Sequence, residues 1–431
     1  MTKFQIVKGM RDFLPKEAIL REKVFEKIKK NFERFGFSPS ITPSLEYYEV
    51  FANKYGIGEE NLKNIYHFED KSGRKLALRF DQTVPLARLM GCNPQIPKPF
   101  KRYEISRVWR YEEIKRGRYR EFWQCDIDIV GSKSMLADAE VIVCAIETVK
   151  ELGFKDIVMK INNRKLLSAV LKYAKVKVRE NDVLRIIDKL DKIGQKGVEK
   201  ELLELGLKKD EIKKIFDVIM IKGKFEDTLN RISFLKEYDI GREGIEELKK
   251  LFDYLKDMVE EKHFSLDLSL ARGLDYYTSN IFELSVEDKT IGSIAGGGRY
   301  DQMIGKFVGG NENIPAVGIA LGVERIIELL KEKEKSVENV AKIFIANVSE
   351  DNRKDVIRIA KILREKGINT EIDLMERNLS RQLDYANKCK IPFVLIVGDV
   401  EAREGKYKLK DMVKGTEISI NISQLVDMLL D

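Results

Sequence analysis

Residues 100–131, FKRYEISRVWRYEEIKRGRYREFWQCDIDIVG, leave few ways to fold. Two runs with strand-like alternation flank a short basic loop, which predicts a β-hairpin. In the second run Trp123, Cys125, Ile127 and Ile129 alternate with Gln124, Asp126 and Asp128. A period of two sends the apolar set to one face and the polar set to the other. In the first run Val108, Arg110 and Glu112 share a face, and pairing the two runs sets Arg110 on the Gln124 and Asp128 side. Carboxylates and a guanidinium then converge on one floor. Across residues 101–120 eight Lys or Arg stand against three Glu, a local charge of +5 in a chain whose total is +7. The loop at 113–120, flexible at Gly117, has the charge and freedom to close on a polyanion. On the residues alone, a solvated hairpin with cross-strand ion pairs is the commoner outcome for such a stretch.

A chain of 431 residues holds two or three domains with ample core. With 43% hydrophobic and 35% charged residues it is not a disordered chain, and no apolar run approaches the roughly 20 residues of a membrane span. The N-terminus carries neither an apolar signal core nor an acid-poor transit segment, which predicts a soluble protein without targeting. Four scattered cysteines without a CxxC pair, and only two histidines, argue against a zinc site or a disulfide framework and for a reducing compartment. Near-balanced charges at a pI near 8.8 fit a polyanionic partner contacted locally.

Pro15 starts a helix in which Leu20, Val24, Ile28 and Phe32 recur every fourth residue, ending at Gly36. Residues 76–80, LALRF, read as a strand, and Asp81, Gln82 and Thr83 stand at its end, either displayed to a ligand or capping a helix over 84–90. From 163 to 262 the texture becomes Lys/Glu-rich helical runs without a strand block, an inserted helical domain. Residues 264–282 restore alternation and break it at Arg272-Gly273, where a bend can throw Arg272 into a site. The glycine triplet at 296–298 is, by itself, most simply a hairpin turn, and it lacks the spacing of a dinucleotide fingerprint. After a charged linker at 331–336, strands at 340–346, 370–374 and 393–397 alternate with helices at 353–366 and 379–389. That spacing predicts a parallel, doubly wound α/β sheet with both faces covered.

Several of these stretches resemble the class II aminoacyl-tRNA synthetases, and histidyl-tRNA synthetases in particular. Pro39-Ser-Ile-Thr-Pro43 with Leu45-Glu46 is similar to motif 1, WRYE at 109–112 with GRYREF at 117–122 and QCD at 124–126 to motif 2, and GIALGVER at 318–325 to motif 3. RGLDYY at 272–277 and AGGGRYD at 295–301 resemble the two histidine-specific signatures, and GMRDFLP at 9–15 the family's opening words. Asp at both 81 and 128, where bacterial members carry Glu, is nearer the archaeal and eukaryotic pattern. The resemblance implies an α+β catalytic domain with an antiparallel sheet in two parts, 1–162 and 263–330. A helical insertion at 163–262 and an anticodon-binding domain at 338–431 complete the implied layout.

It also implies roles. Arg110 and Arg272 would be catalytic, gripping the α-phosphate from two sides. Asp81, Gln82, Thr83, Gln124, Asp128, Tyr276, Tyr277 and Tyr300 would hold L-histidine. Arg110, Glu112, Arg118, Phe122, Arg272 and Arg325 would hold ATP, with Phe122 stacked on adenine and Arg325 on the γ-phosphate. No residue is implied as a protein metal ligand, and Mg²⁺ comes with the ATP. The implied partners are the tRNA for histidine and a second copy of the chain, built around motif 1, in the cytoplasm and away from membranes. The reaction implied needs positioning and positive charge, which agrees with the lack of a Ser or Cys triad. The alternative is a catalytically silent histidine-binding regulatory paralogue. Such relatives lose motif arginines and the C-terminal domain, whereas Arg110, Arg272, Arg325 and that domain are all here.

Overall fold

The structure, a computed structural model, describes residues 4–52, 57, 59–271, 276–286, 292–307, 313–333 and 339–430. The chain forms two compact units, Met1–Arg11 with Val24–Glu332, and Asp12–Lys23 with Lys333–Asp431.

The first unit contributes strands β1 (Ser38–Pro39), β2 (Leu45–Tyr47), β3 (His67–Glu69), β4 (Lys75–Leu78), β5 (Phe100–Trp109) and β6 (Glu121–Val130). It continues with β7 (Ile157–Asn163), β8 (Phe264–Leu266), β9 (Asn280–Val286), β10 (Ser293–Arg299) and β11 (Ala316–Gly322). Eight of them form one sheet in the order β1-β5-β6-β11-β10-β9-β7-β8. Pairing is antiparallel from β5 through β7 and parallel only at the two outer strands, β1 on β5 and β8 on β7. The expected hairpin is β5–β6, in register from Phe100↔Val130 to Trp109↔Glu121. Cys125, Ile127 and Ile129 face the core, as their parity requires, under the buried helix Met135–Glu151. Strands β2, β4 and β3 make a separate three-stranded sheet.

The glycine triplet at 296–298 is no turn: it lies inside β10, between β9 and β11. A Cβ on Gly297 would stand 2.0 Å from the Gly318 carbonyl oxygen, and one on Gly298 2.7 Å from the Tyr277 ring. The glycines let neighbouring backbone and an aromatic ring approach the sheet closely. Between β7 and β8 every regular element is a helix, from Arg164–Tyr173 to Asp239–Met258, as the Lys/Glu-rich texture leads one to expect.

The second unit carries β12 (Ile343–Asn347), β13 (Thr370–Ile372), β14 (Phe393–Val397), β15 (Tyr407–Asp411) and β16 (Glu417–Ile420), in the order β13-β12-β14-β15-β16. The first three are parallel, the βαβ arrangement read from the sequence, and β15 and β16 extend the sheet antiparallel, so it is mixed and not wholly parallel. Helices cover both faces: Val356, Ile359 and Leu363 with Leu425 and Leu429 on one, Leu379, Leu383 and Ala386 on the other.

Candidate active site

Cross-strand register builds the site. On one face of the large sheet Arg102 stands opposite Asp128, Glu104 opposite Asp126, and Ser106 opposite Gln124. The next strand answers these with Gly318, Ala320 and Gly322, and β10 adds Gly298 and Gly296. Charged side chains therefore border a lane of nearly bare backbone on which a flat ligand can lie. The lane is tight at Gly318, where a Cβ would sit 2.0 Å from Asp128 Oδ1.

The bordering charges are buried and interlocked. Glu104 accepts from the Thr42 amide at 3.1 Å and hydroxyl at 3.0 Å, from Arg79 at 2.7 Å and from Arg102 at 3.0 Å. Arg102, fully buried, also donates to the Gln82 carbonyl at 3.0 Å and pairs with Asp128 at 2.9 Å. Burial works against the Arg102 charge, but Asp128 and Glu104 outweigh it and hold the guanidinium protonated. Asp128 accepts from the Tyr300 hydroxyl at 2.5 Å. Burial raises its carboxyl, and Arg102 opposes that rise. Burial, with Asp128 adjacent, raises Asp126 still further, well above the ordinary carboxylate value.

Asp81, Gln82 and Thr83 sit where β4's chain turns into the helix Thr83–Cys92. Asp81 Oδ1 accepts from the Val84 amide at 3.1 Å, as a cap does, while its Oδ2 is buried without a partner. Gln82 Oε1 and Asp126 Oδ1 are likewise buried without partners. Unsatisfied buried acceptors are costly, and this set can accept from N–H groups. Tyr276 lies 4.7 Å from Tyr277 and 5.9 Å from Tyr300, ring to ring. Burial, then the neighbouring Tyr277 and Asp81, pushes the Tyr276 hydroxyl well up, and burial beside Asp128 does the same to Tyr300, so both are fixed as neutral O–H groups.

At the other end of the floor Arg110 donates to the Phe80 carbonyl at 3.0 Å and reaches Gln124 Oε1 at 3.5 Å. Its guanidinium lies over the Phe80 ring at 4.4 Å and the Phe122 ring at 5.2 Å. The parity argument thus holds for Arg110 and Gln124, whereas the guanidinium beside Asp128 belongs to Arg102. The loop between β5 and β6 comes back onto the third motif: a Cβ on Gly117 would be 3.1 Å from Arg325 Cγ. Arg118 is exposed, Glu112 half-buried with its carbonyl accepting from Arg120, and Arg325 donates to the Ser293 carbonyl. Arg272 lies outside the described residues.

Arg79, Arg102, Glu104 and Asp126 were not among the expected site residues. Extending the even-number parity of Val108 and Arg110 back along the same strand reaches Arg102 and Glu104, so a signal for those two was present. Among the described residues no cluster of His, Cys, Asp or Glu has the makings of a metal site.

Residues 9–326 match the family described as histidyl-tRNA synthetase, and residues 342–431 the anticodon binding domain. The histidine–tRNA ligase of Korarchaeum cryptofilum is 41% identical over 430 residues, covering 98% of each chain. That of Pyrococcus furiosus is 40% identical over 427 residues, again covering 98% of each. The crystal structure of histidyl-tRNA synthetase from Nostoc sp. PCC 7120 superposes with a TM-score of 0.87 at 31% identity, covering 100% of this chain and 99% of that one. A floor of buried carboxylates and arginines on a mostly antiparallel sheet, a C-terminal α/β unit and these full-length likenesses agree that the chain belongs to the histidyl-tRNA synthetase family.

Proposed function

We propose that the protein is a histidine–tRNA ligase that activates L-histidine with ATP and passes it to the 3' end of its tRNA. A histidine carboxylate oxygen attacks the α-phosphorus of ATP and the bond to pyrophosphate breaks. A terminal ribose hydroxyl then attacks the adenylate carbonyl and AMP leaves. The observation that carries the reading is the buried Asp128, held between the Tyr300 hydroxyl and Arg102 beside a bare glycine lane. An imidazole N–H needs a fixed acceptor, and a pocket built to pair it penalises analogues that lack it.

In this reading Asp128 with Tyr276, Tyr277 and Tyr300 reads the side chain, and Asp81, Gln82, Thr83 and Gln124 take the α-ammonium. Arg110 is placed for the α-phosphate, its rigid fork able to stabilise charge that develops there. Phe122 lies under the adenine with Glu112 at its edge, Arg118 and Arg325 take the outer phosphates, and Arg272 approaches from the opposite side. Magnesium enters with the ATP as part of the substrate. Residues 1–162 and 263–330 are the catalytic domain, 163–262 the insertion and 338–431 the anticodon reader, working in the cytoplasm with tRNA. Ile41, Leu45, Tyr47 and Phe68, exposed by 84%, 43%, 52% and 46%, form an apolar face next to motif 1 that fits a second copy of the chain.

The test is isotopic exchange of pyrophosphate into ATP. Exchange should require L-histidine. Exchange supported by another amino acid and not by histidine, or by none, would sink the reading, and the latter result is what a silent paralogue would give.

A further inference from the structure

Four buried carboxyls, Asp81, Glu104, Asp126 and Asp128, share this floor with three guanidiniums, Arg79, Arg102 and Arg110. Counted over the described residues, these groups all ionised would carry one uncompensated negative charge, and an unbalanced buried charge is avoided by taking up a proton. The hydrogen bonds say which group takes it. Glu104 accepts from Thr42, Arg79 and Arg102. Asp128 has the Tyr300 hydroxyl and Arg102. Asp81 has the Val84 amide. Asp81 Oδ2 and Asp128 Oδ2 also lack a hydrogen-bond donor, but of the four carboxyls Asp126 is the one that accepts no hydrogen bond at either oxygen among the described residues, and its Oδ1 is buried.

We propose that Asp126 is a further substrate-binding residue of the amino-acid pocket, carrying a proton in the free protein and giving it up to solvent when the cationic nitrogen of the amino acid enters. Its position supports this: alternation places it between Gln124 and Asp128 on the same face, opposite Ala320 in the bare lane. The arriving ammonium replaces the proton as the balancing charge, so the pocket stays near neutral before and after binding. Among the described residues, the charged and titratable groups that face Asp126 are Asp128 on its own strand, Arg102 and Glu104 on β5, and Asp81 and Arg79 on the segment leading into the helix. Burial and the like charges of Asp128, Asp81 and Glu104 favour the proton on Asp126, and Arg102 opposes it.

The inference rests on the histidine pocket described above, and calorimetry separates the two. Titrating the full-length protein with L-histidine at about pH 8, where the free imidazole is neutral, in buffers of different ionisation heat counts protons released. The parent should release a substantial part of one proton per histidine, and Asp126→Asn, titrated to saturation, should bind histidine more weakly and release less by that amount. An infrared difference spectrum should show a protonated-carboxyl band lost when histidine is added to the parent. Histidine binding with equal proton counts in parent and variant, or with no such band lost, would overturn the proposal. No histidine binding by the parent would instead overturn the function. Should Asp126→Asn fail to fold, the parent's infrared spectrum decides alone.

Discussion

Within the protein Asp128 accepts from the Tyr300 hydroxyl and pairs with the Arg102 guanidinium, and its removal takes this acceptor from Tyr300 and leaves Arg102 with Glu104 and the Gln82 carbonyl. If Asp128 takes the imidazole N–H as proposed, losing that partner costs roughly 1–3 kcal/mol. Asp128→Ala should therefore lose at least about tenfold in kcat/KM for histidine, 1.4 kcal/mol being one decade. The loss with ATP as the varied substrate should be much smaller, because Arg110, Phe122 and Arg325 lie elsewhere on the floor. Exchange kinetics with each substrate varied in turn would check it, and equal losses would mean that Asp128 only supports the floor. Its place on the polar face was legible from alternation alone. Arg102 and Glu104 share that legible parity, but nothing nearby marks them as buried. Their partners Thr42 and Arg79 stand 62 and 25 residues from Glu104 in the chain, and only the fold brings them in.

The hairpin β5–β6 is the element whose existence and facing were both readable, since a period of two needs only a local window. What steadies its loop was not. The Gly9 carbonyl accepts from the Arg120 amide at 2.9 Å, and Gly9, at φ +88, lies so close that a Cβ there would be 2.7 Å from Arg120 Cγ. Arg11 places its guanidinium 3.5 Å from the centre of the Tyr119 ring and pairs with Glu324 at 2.5 Å, tying the N-terminal segment to the second and third motifs at once. Glu324 is itself buried and accepts from the Trp123 amide at 3.3 Å. Arg11→Ala should loosen the loop and weaken productive ATP binding by about 1–2 kcal/mol, a factor of about 5–30. The effect should fall on KM for ATP and spare KM for histidine; an unchanged KM for ATP would show that the loop is held without this strut. In the C-terminal sheet the elements left unread in the sequence are β15 and β16. Tyr407 and Leu409 do alternate with lysines, but a reading that looks for strands between helices passes over a hairpin that extends the sheet antiparallel.

At the scale of the molecule, the exposed apolar face of Ile41, Leu45, Tyr47 and Phe68 bears on the site although none of the four reaches it. Leu45 and Tyr47 share one side of β2, and Tyr47 and Phe68 both align with Leu76 of β4, so they form a continuous row. In the dimer proposed above this patch would lie against its own copy across a two-fold axis. Thr42, next to Ile41, donates its amide and hydroxyl to Glu104, and Glu104 in turn holds Arg102 beneath Asp128. If that interface fixes residues 41–47, it also fixes Glu104 and Arg102 at the base of the proposed amino-acid pocket. Placing like charges on the patch, with Ile41→Lys and Tyr47→Lys together, should separate the copies, since facing ammonium groups cannot be desolvated against each other. Sedimentation should then report a monomer, and histidine-dependent exchange should fall even though no residue of the pocket has changed, with KM for histidine rising most. A monomer that exchanges at the parent's rate would mean that the Thr42–Glu104 link is held by the fold of a single chain, and that the interface serves tRNA binding or stability instead.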